Sequence, residues 1–132
     1  MEKIQERALR FIYHDYDTDY DSLLAKSKLP TLHVRRIRTL ALETYKLINK
    51  EGPKYLHDLI TLKSNHYSCR NVLQTELPQV QTSRYGLQSF RYVAAKLWNS
   101  LPNNIKSSSS FGMFKNMINK WEGTTCQCTA CC

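Results

Sequence analysis

The chain has 132 residues, 42% of them hydrophobic and 23% charged, with 19 Lys and Arg against 11 Asp and Glu for a net charge of +8. That is the size and composition of one globular domain able to bury a real core. No apolar run reaches the length of a membrane span and MEKIQERALR is no signal peptide, so the expectation is an intracellular protein with no membrane partner.

The charge is uneven. Residues 1–30 hold five Lys and Arg against six acids, a net −1, and residues 31–132 hold fourteen against five, a net +9. Such an excess favours polyanions through the release of condensed counterions. A basic surface that merely keeps a domain in solution is the competing reading.

From Glu2 to about His14 the pattern predicts a helix with Ile4, Ala8, Phe11 and Ile12 on its apolar face, widened by Leu9 and Tyr13. Glu6 is spaced to pair with Arg10. HDYDTDYD follows, with aspartates at 15, 17, 19 and 21. A calcium loop needs Gly at its sixth place and Glu at its twelfth, and these hold Tyr20 and Lys26. The stretch therefore reads as an acidic turn whose last residue, Asp21, caps a helix through Leu23 and Leu24.

Thr31 is placed to cap the longest helix, running to about Asn49, with Val34, Ile37, Leu40, Ala41, Tyr45, Leu47 and Ile48 on its buried side. Within it HVRRIR brings together Arg35, Arg36 and Arg38, guanidinium groups suited to bidentate phosphate contacts or simply to a solvated face. Gly52-Pro53 is expected to end the helix, and KYLHDLI adds a short helical turn. From Thr61 to Gln88 the helical period disappears. A short β-hairpin within about 62–88, turning near Leu77-Pro78-Gln79, fits that stretch. Arg70, Arg84 and Arg91 interleave there with Tyr67, Tyr85 and Tyr92, a pattern suited to stacking and neutralising single strands and equally to tyrosines covering a core.

Phe90, Val93, Ala94, Leu97, Trp98 and Leu101 then recur at helical spacing behind a Ser89 cap, with Pro102 stopping the helix near Asn99 or Ser100. This stripe, with its Phe and Trp, is the expected centre of the core. NNIKSSSS reads as a surface linker, and Ser110 caps a last helix with Phe111, Phe114, Ile118 and Trp121 on one face, ending at Glu122-Gly123. The organisation expected is a single mainly α domain over 1–123 and a cysteine-rich tail over 124–132.

That tail carries Cys126, Cys128, Cys131 and Cys132. Clustered thiols in an intracellular chain suit a soft metal such as zinc better than disulfides. Cys128-x-x-Cys131 is one knuckle, Cys126 is a further candidate ligand, and a second pair would come from His66 and Cys69 or from a partner chain. A metal-free, frayed terminus explains the same residues.

Three blocks, IQERALRFIYHDY, RYGLQSFRYVAAKLWNSLP and WEGTTCQCTACC, together span nearly the whole chain. In this order they resemble the C-terminal region of the reverse-transcriptase polyproteins of non-LTR (LINE-type, jockey-like) retrotransposons. The resemblance implies a non-catalytic accessory region beyond the polymerase thumb, with template RNA or target DNA as partner and the polymerase part of the same polyprotein as another. It also strengthens the metal reading of the tail. The aromatic-x-Asp-Asp motif that holds the polymerase magnesium ions is absent, as is anything like the endonuclease, so no catalytic residue is expected. A packing or protein-interaction domain, or an inactive fragment of such an element, is the alternative.

Overall fold

A computed structural model describes residues 2–64 and 73–121. The architecture is mainly helical, as the periodicity predicts. The helices run α1 (Glu2–Tyr13), α2 (Tyr20–Ser27), α3 (Leu32–Ile48), a 3₁₀ helix (Lys54–Leu59), α4 (Phe90–Ser100), α5 (Asn103–Lys106) and α6 (Phe111–Lys120). The chain divides into two compact units, Met1–Ile37 and Arg38–Cys132.

In the first unit α1 and α2 close over Leu9, Leu23 and Leu24, with Tyr13 and Tyr20 packed against them. The rotation of α1 departs from the apolar pattern. Ile4, Phe11 and Ile12 are 70%, 69% and 63% exposed, and the buried stripe runs through Leu9 instead. The cause is polar. Glu2, Glu6, Leu9 and Tyr13 share one side of the helix, and the Glu2 carboxylate accepts from the Tyr20 hydroxyl at 2.9 Å and from the His33 and Leu32 amides at 2.9 and 3.3 Å. Those amides open α3, whose next N–H, from Val34, goes to the Thr31 hydroxyl at 3.3 Å as the capping pattern predicts. Glu6 pairs with Arg10 at 2.9 Å, also as expected.

The acidic turn caps α2 two residues earlier than the sequence suggests. Asp19, not Asp21, accepts from the Asp21 amide at 3.3 Å, because Tyr20 is drawn into the helix by its packing and its bond to Glu2. Asp15 accepts from both the Thr18 amide and the Thr18 hydroxyl, at 3.1 and 2.6 Å. Left-handed residues at φ near 50° to 57°, namely His14, Lys28 and Lys50, stand just past α1, α2 and α3. The role expected of Gly52 is thus taken by Lys50.

The second unit is centred on an aromatic cluster. Tyr45 stacks on Phe114 with centroids 4.3 Å apart, and Trp98 stacks on Phe114 at 5.9 Å. Trp98, Phe114 and Ile118 are fully buried. Ser89 and Ser110 cap α4 and α6 through the Tyr92 and Met113 amides. Phe90, expected in the core, is 41% exposed. It is the first residue of α4, and it lines an open groove of ≈ 490 Å³ with Leu47, Pro53, Leu56 and Leu59.

Among the described residues the hairpin contracts to one antiparallel bridge, Leu62 with Thr75. Residues 61–63 pair with 74–76, the Lys63 amide donating to the Gln74 carbonyl at 2.8 Å and the Glu76 amide to the Thr61 carbonyl at 2.9 Å, so Leu77-Pro78-Gln79, the expected turn, follows the paired segment instead of joining it. The reason is side-chain pairing with α4. The Thr75 amide and hydroxyl reach Asn99 Oδ1 at 2.9 and 3.1 Å, Asn99 Nδ2 donates to the Thr75 carbonyl at 3.0 Å, and Trp98 Nε1 donates to the Leu73 carbonyl at 3.0 Å. Asn99 thereby takes the place of a neighbouring strand. The expected linker after α4 is partly helical. Pro102 opens α5, whose Ile105 and Lys106 are buried, and the Lys106 ammonium donates to the Asn99 carbonyl at 3.2 Å. Burial pushes the Lys106 pKa down.

Candidate functional site

The arginines singled out in the sequence fall into three settings. Arg35 and Arg36 lie exposed on the first turns of α3, in the first unit. Arg36 also bears on Glu2. Burial disfavours the Glu2 charge, yet the bonds from Tyr20, His33 and Leu32 and the nearby Arg36 charge together hold that carboxyl below its ordinary pKa.

Arg38 belongs to the second unit and is half-buried. Its Nη2 donates at 2.8 Å to the Asn119 carbonyl in the last turn of α6, where a helix end carries partial negative charge. Arg38 is therefore engaged in holding α6, and HVRRIR does not present three equivalent guanidinium groups.

Arg84 and Arg91 are exposed and bracket the start of α4. Tyr85, beside Arg84, is 79% exposed. The backbone that carries them is tightly tied: the Gly86 and Leu87 amides donate to the Thr82 carbonyl at 3.1 and 3.3 Å, and the Ser89 amide donates to the Gly86 carbonyl at 3.1 Å. The Thr82 hydroxyl also accepts from Gly86 N–H at 3.0 Å, and the Ser89 hydroxyl donates to Gly86 O at 2.7 Å. A Cβ at Gly86 would overlap Val80 Cγ1 and sit 2.6 Å from the Thr82 carbonyl, so glycine is required there by close approach. Tyr92, the last tyrosine of the interleaved pattern, is half-buried instead, while Tyr67 and Arg70 lie outside the described residues.

Sequence reasoning passed over one similar pair. Lys54 and Tyr55 open the 3₁₀ helix, and Tyr55 is 80% exposed. Only their adjacency could have drawn attention to them, since a short 3₁₀ turn has no periodicity that assigns a face.

Cys126, Cys128 and Cys131, with His66 and Cys69, lie outside the described residues. Among the described residues no three His, Cys, Asp or Glu converge as a metal site. His57 Nε2 lies 2.8 Å from the Gly52 carbonyl, which can only accept, so this nitrogen is the donor of that bond. The groove beside Phe90 is floored by aliphatic groups, and its charged rim includes Glu43 and Lys46, which pair at 2.9 Å.

Among the described residues no helix is long and apolar enough to cross a membrane. No protein-family model, curated protein or solved structure matches the chain.

Proposed function

We propose that this chain is a non-catalytic accessory region of a non-LTR retrotransposon reverse transcriptase, and that its second unit binds template RNA or target DNA. The observation that carries the reading is the partition of charge. Residues 1–37 hold seven Lys and Arg against six acids, a net +1, and residues 38–132 hold twelve against five, a net +7. Arg84 and Arg91 are exposed members of that excess, and the pairing of Arg38 with α6 narrows the interface to them rather than to HVRRIR as a whole. The three sequence blocks that resemble retrotransposon polyproteins supply the biological setting, and zinc on Cys126, Cys128 and Cys131 belongs to the same proposal.

The test is binding of fluorescent single-stranded RNA and duplex DNA across a salt series, with zinc present or chelated. Submicromolar affinity falling steeply with salt is expected, and a zinc requirement would bring the tail into the interface. Absence of binding at about 50 mM salt would overturn the reading.

A second reading draws on α1. Its exposed Ile4, Phe11 and Ile12 form an apolar stripe of the kind that docks on another protein, and the polymerase part of the same polyprotein is the partner that the resemblance implies. Retention of the chain by that polymerase, lost in Phe11→Asp, would favour it.

A further inference from the structure

We propose that Tyr85, with Arg84 and Arg91, forms a stacking platform for single-stranded nucleic acid, one unpaired base lying on the Tyr85 ring and the adjoining phosphates held by the two arginines. This deepens the nucleic-acid reading above and rests on it.

Three observations converge. A tyrosine normally covers apolar surface with its ring while its hydroxyl reaches water or a partner; Tyr85 instead leaves 79% of its surface in solvent. The turn behind it is fixed by the bonds among Thr82, Gly86, Leu87 and Ser89 and by the tight seat of Gly86 on Val80. A ring displayed from a fixed backbone loses little freedom when a base stacks on it. Arg84 is its chain neighbour, and Arg91 stands in the first turn of α4, two residues after the Ser89 cap that this same turn supplies. Among the described residues neither arginine has a hydrogen-bond or ion-pair partner, whereas Arg10 and Arg38 both do.

The chemistry selects single strands. Bases within a duplex are already stacked on one another and present no free face, while an unpaired base offers its π-face to an aromatic ring whatever its sequence. Arg84 and Arg91, which flank Tyr85 in the sequence, supply the phosphate contacts that any nucleic acid shares. The platform therefore predicts a preference for single strands over duplex with little preference among sequences.

The experiment uses the full chain with fluorescein-labelled rU12 and a 12-base-pair duplex. Wild type is expected to bind rU12 more tightly than the duplex. Tyr85→Ala should weaken rU12 binding about tenfold and leave duplex binding unchanged, and Tyr85→Phe, which keeps the ring, should restore it. Arg84→Gln combined with Arg91→Gln should reduce the log–log salt slope for rU12 by about 1.4. Because all three side chains are exposed, the variants should keep the wild-type circular dichroism. Equal binding of rU12 and duplex, or an unchanged rU12 affinity in Tyr85→Ala, would overturn the platform while leaving nucleic-acid binding in place. Binding of neither probe would overturn both.

Discussion

The Glu2 carboxylate collects hydrogen bonds from a tyrosine hydroxyl and two amides at the open end of α3, so its charge does the work of a helix cap from a distant point in the sequence. Its pKa lies below the ordinary value despite the cost of burial, and the Thr18 bonds lower that of Asp15 in the same way. A depressed carboxyl adds stability above its unfolded-state pKa that is lost as pH falls through the folded value. Tyr20 has the opposite sense: burial first, then the bond to Glu2 and the surrounding acids, raise its hydroxyl to about 12, so its contribution is intact below the unfolded value and is lost as pH climbs toward that figure. Denaturant unfolding should thus show losses at both extremes. Glu2→Gln should reduce the difference between about pH 6 and about pH 3, and an undiminished difference would assign the acid sensitivity elsewhere. Asn99 does comparable work in the second unit. Removing its amide strands the fully buried Thr75 amide and carbonyl, while the Thr75 hydroxyl keeps the Ala95 carbonyl at 3.2 Å. Asn99→Ala should cost about 2–4 kcal/mol in urea unfolding. Asn99→Asp, which keeps the acceptor and loses the donor, should fall between it and wild type.

At the scale of elements, α1 offers the clearest test because two stripes compete for the interior. Leu9→Ala should cost about 2–4 kcal/mol, as a buried leucine does, while Phe11→Ser should change stability by less than about 0.5 kcal/mol, as an exposed residue does. The reverse ranking by thermal or urea unfolding would mean that the helix is turned the other way. The comparison also shows where sequence is legible. Thr31, Ser89 and Ser110 cap their helices as read, because a cap is a bond between a side chain and an amide two or three residues on. The Trp98, Phe114 and Ile118 core was legible for a related reason, since those residues lie within α4 and α6 at regular helical spacing. The rotation of α1 was hidden because it depends on Glu2 meeting residues 18 to 31 positions away, which periodicity does not register. The α5 turn was hidden because four residues carry no period, and the bridge because Asn99 rather than a second strand completes it. Within the candidate site the arginines were visible as types. Their settings were not: Arg38 is tied to Asn119 across 81 positions.

For the molecule as a whole, the same charge excess should act in opposite directions on folding and on binding. In residues 38–132, twelve cations face five acids, and like charges held on one compact unit repel. Salt screens that repulsion, with a Debye length falling from about 10 Å at 0.1 M to about 3 Å at 1 M, so the free protein should unfold at a higher temperature as salt rises. Binding to a polyanion has the reverse dependence, because released counterions are worth less in concentrated salt. A ligand present at about a hundred times its dissociation constant stabilises the folded state by about 2.7 kcal/mol. Saturating rU12 should therefore raise the unfolding temperature markedly at about 20 mM salt, with the two melting curves converging by about 300 mM. A stabilisation by rU12 that persists unchanged across that range would locate the affinity in stacking and hydrogen bonds instead of charge. A free-protein midpoint that falls with salt would mean that attractive pairs such as Glu43 with Lys46 outweigh the repulsion, and the +7 unit would then be balanced internally and not poised for a polyanion.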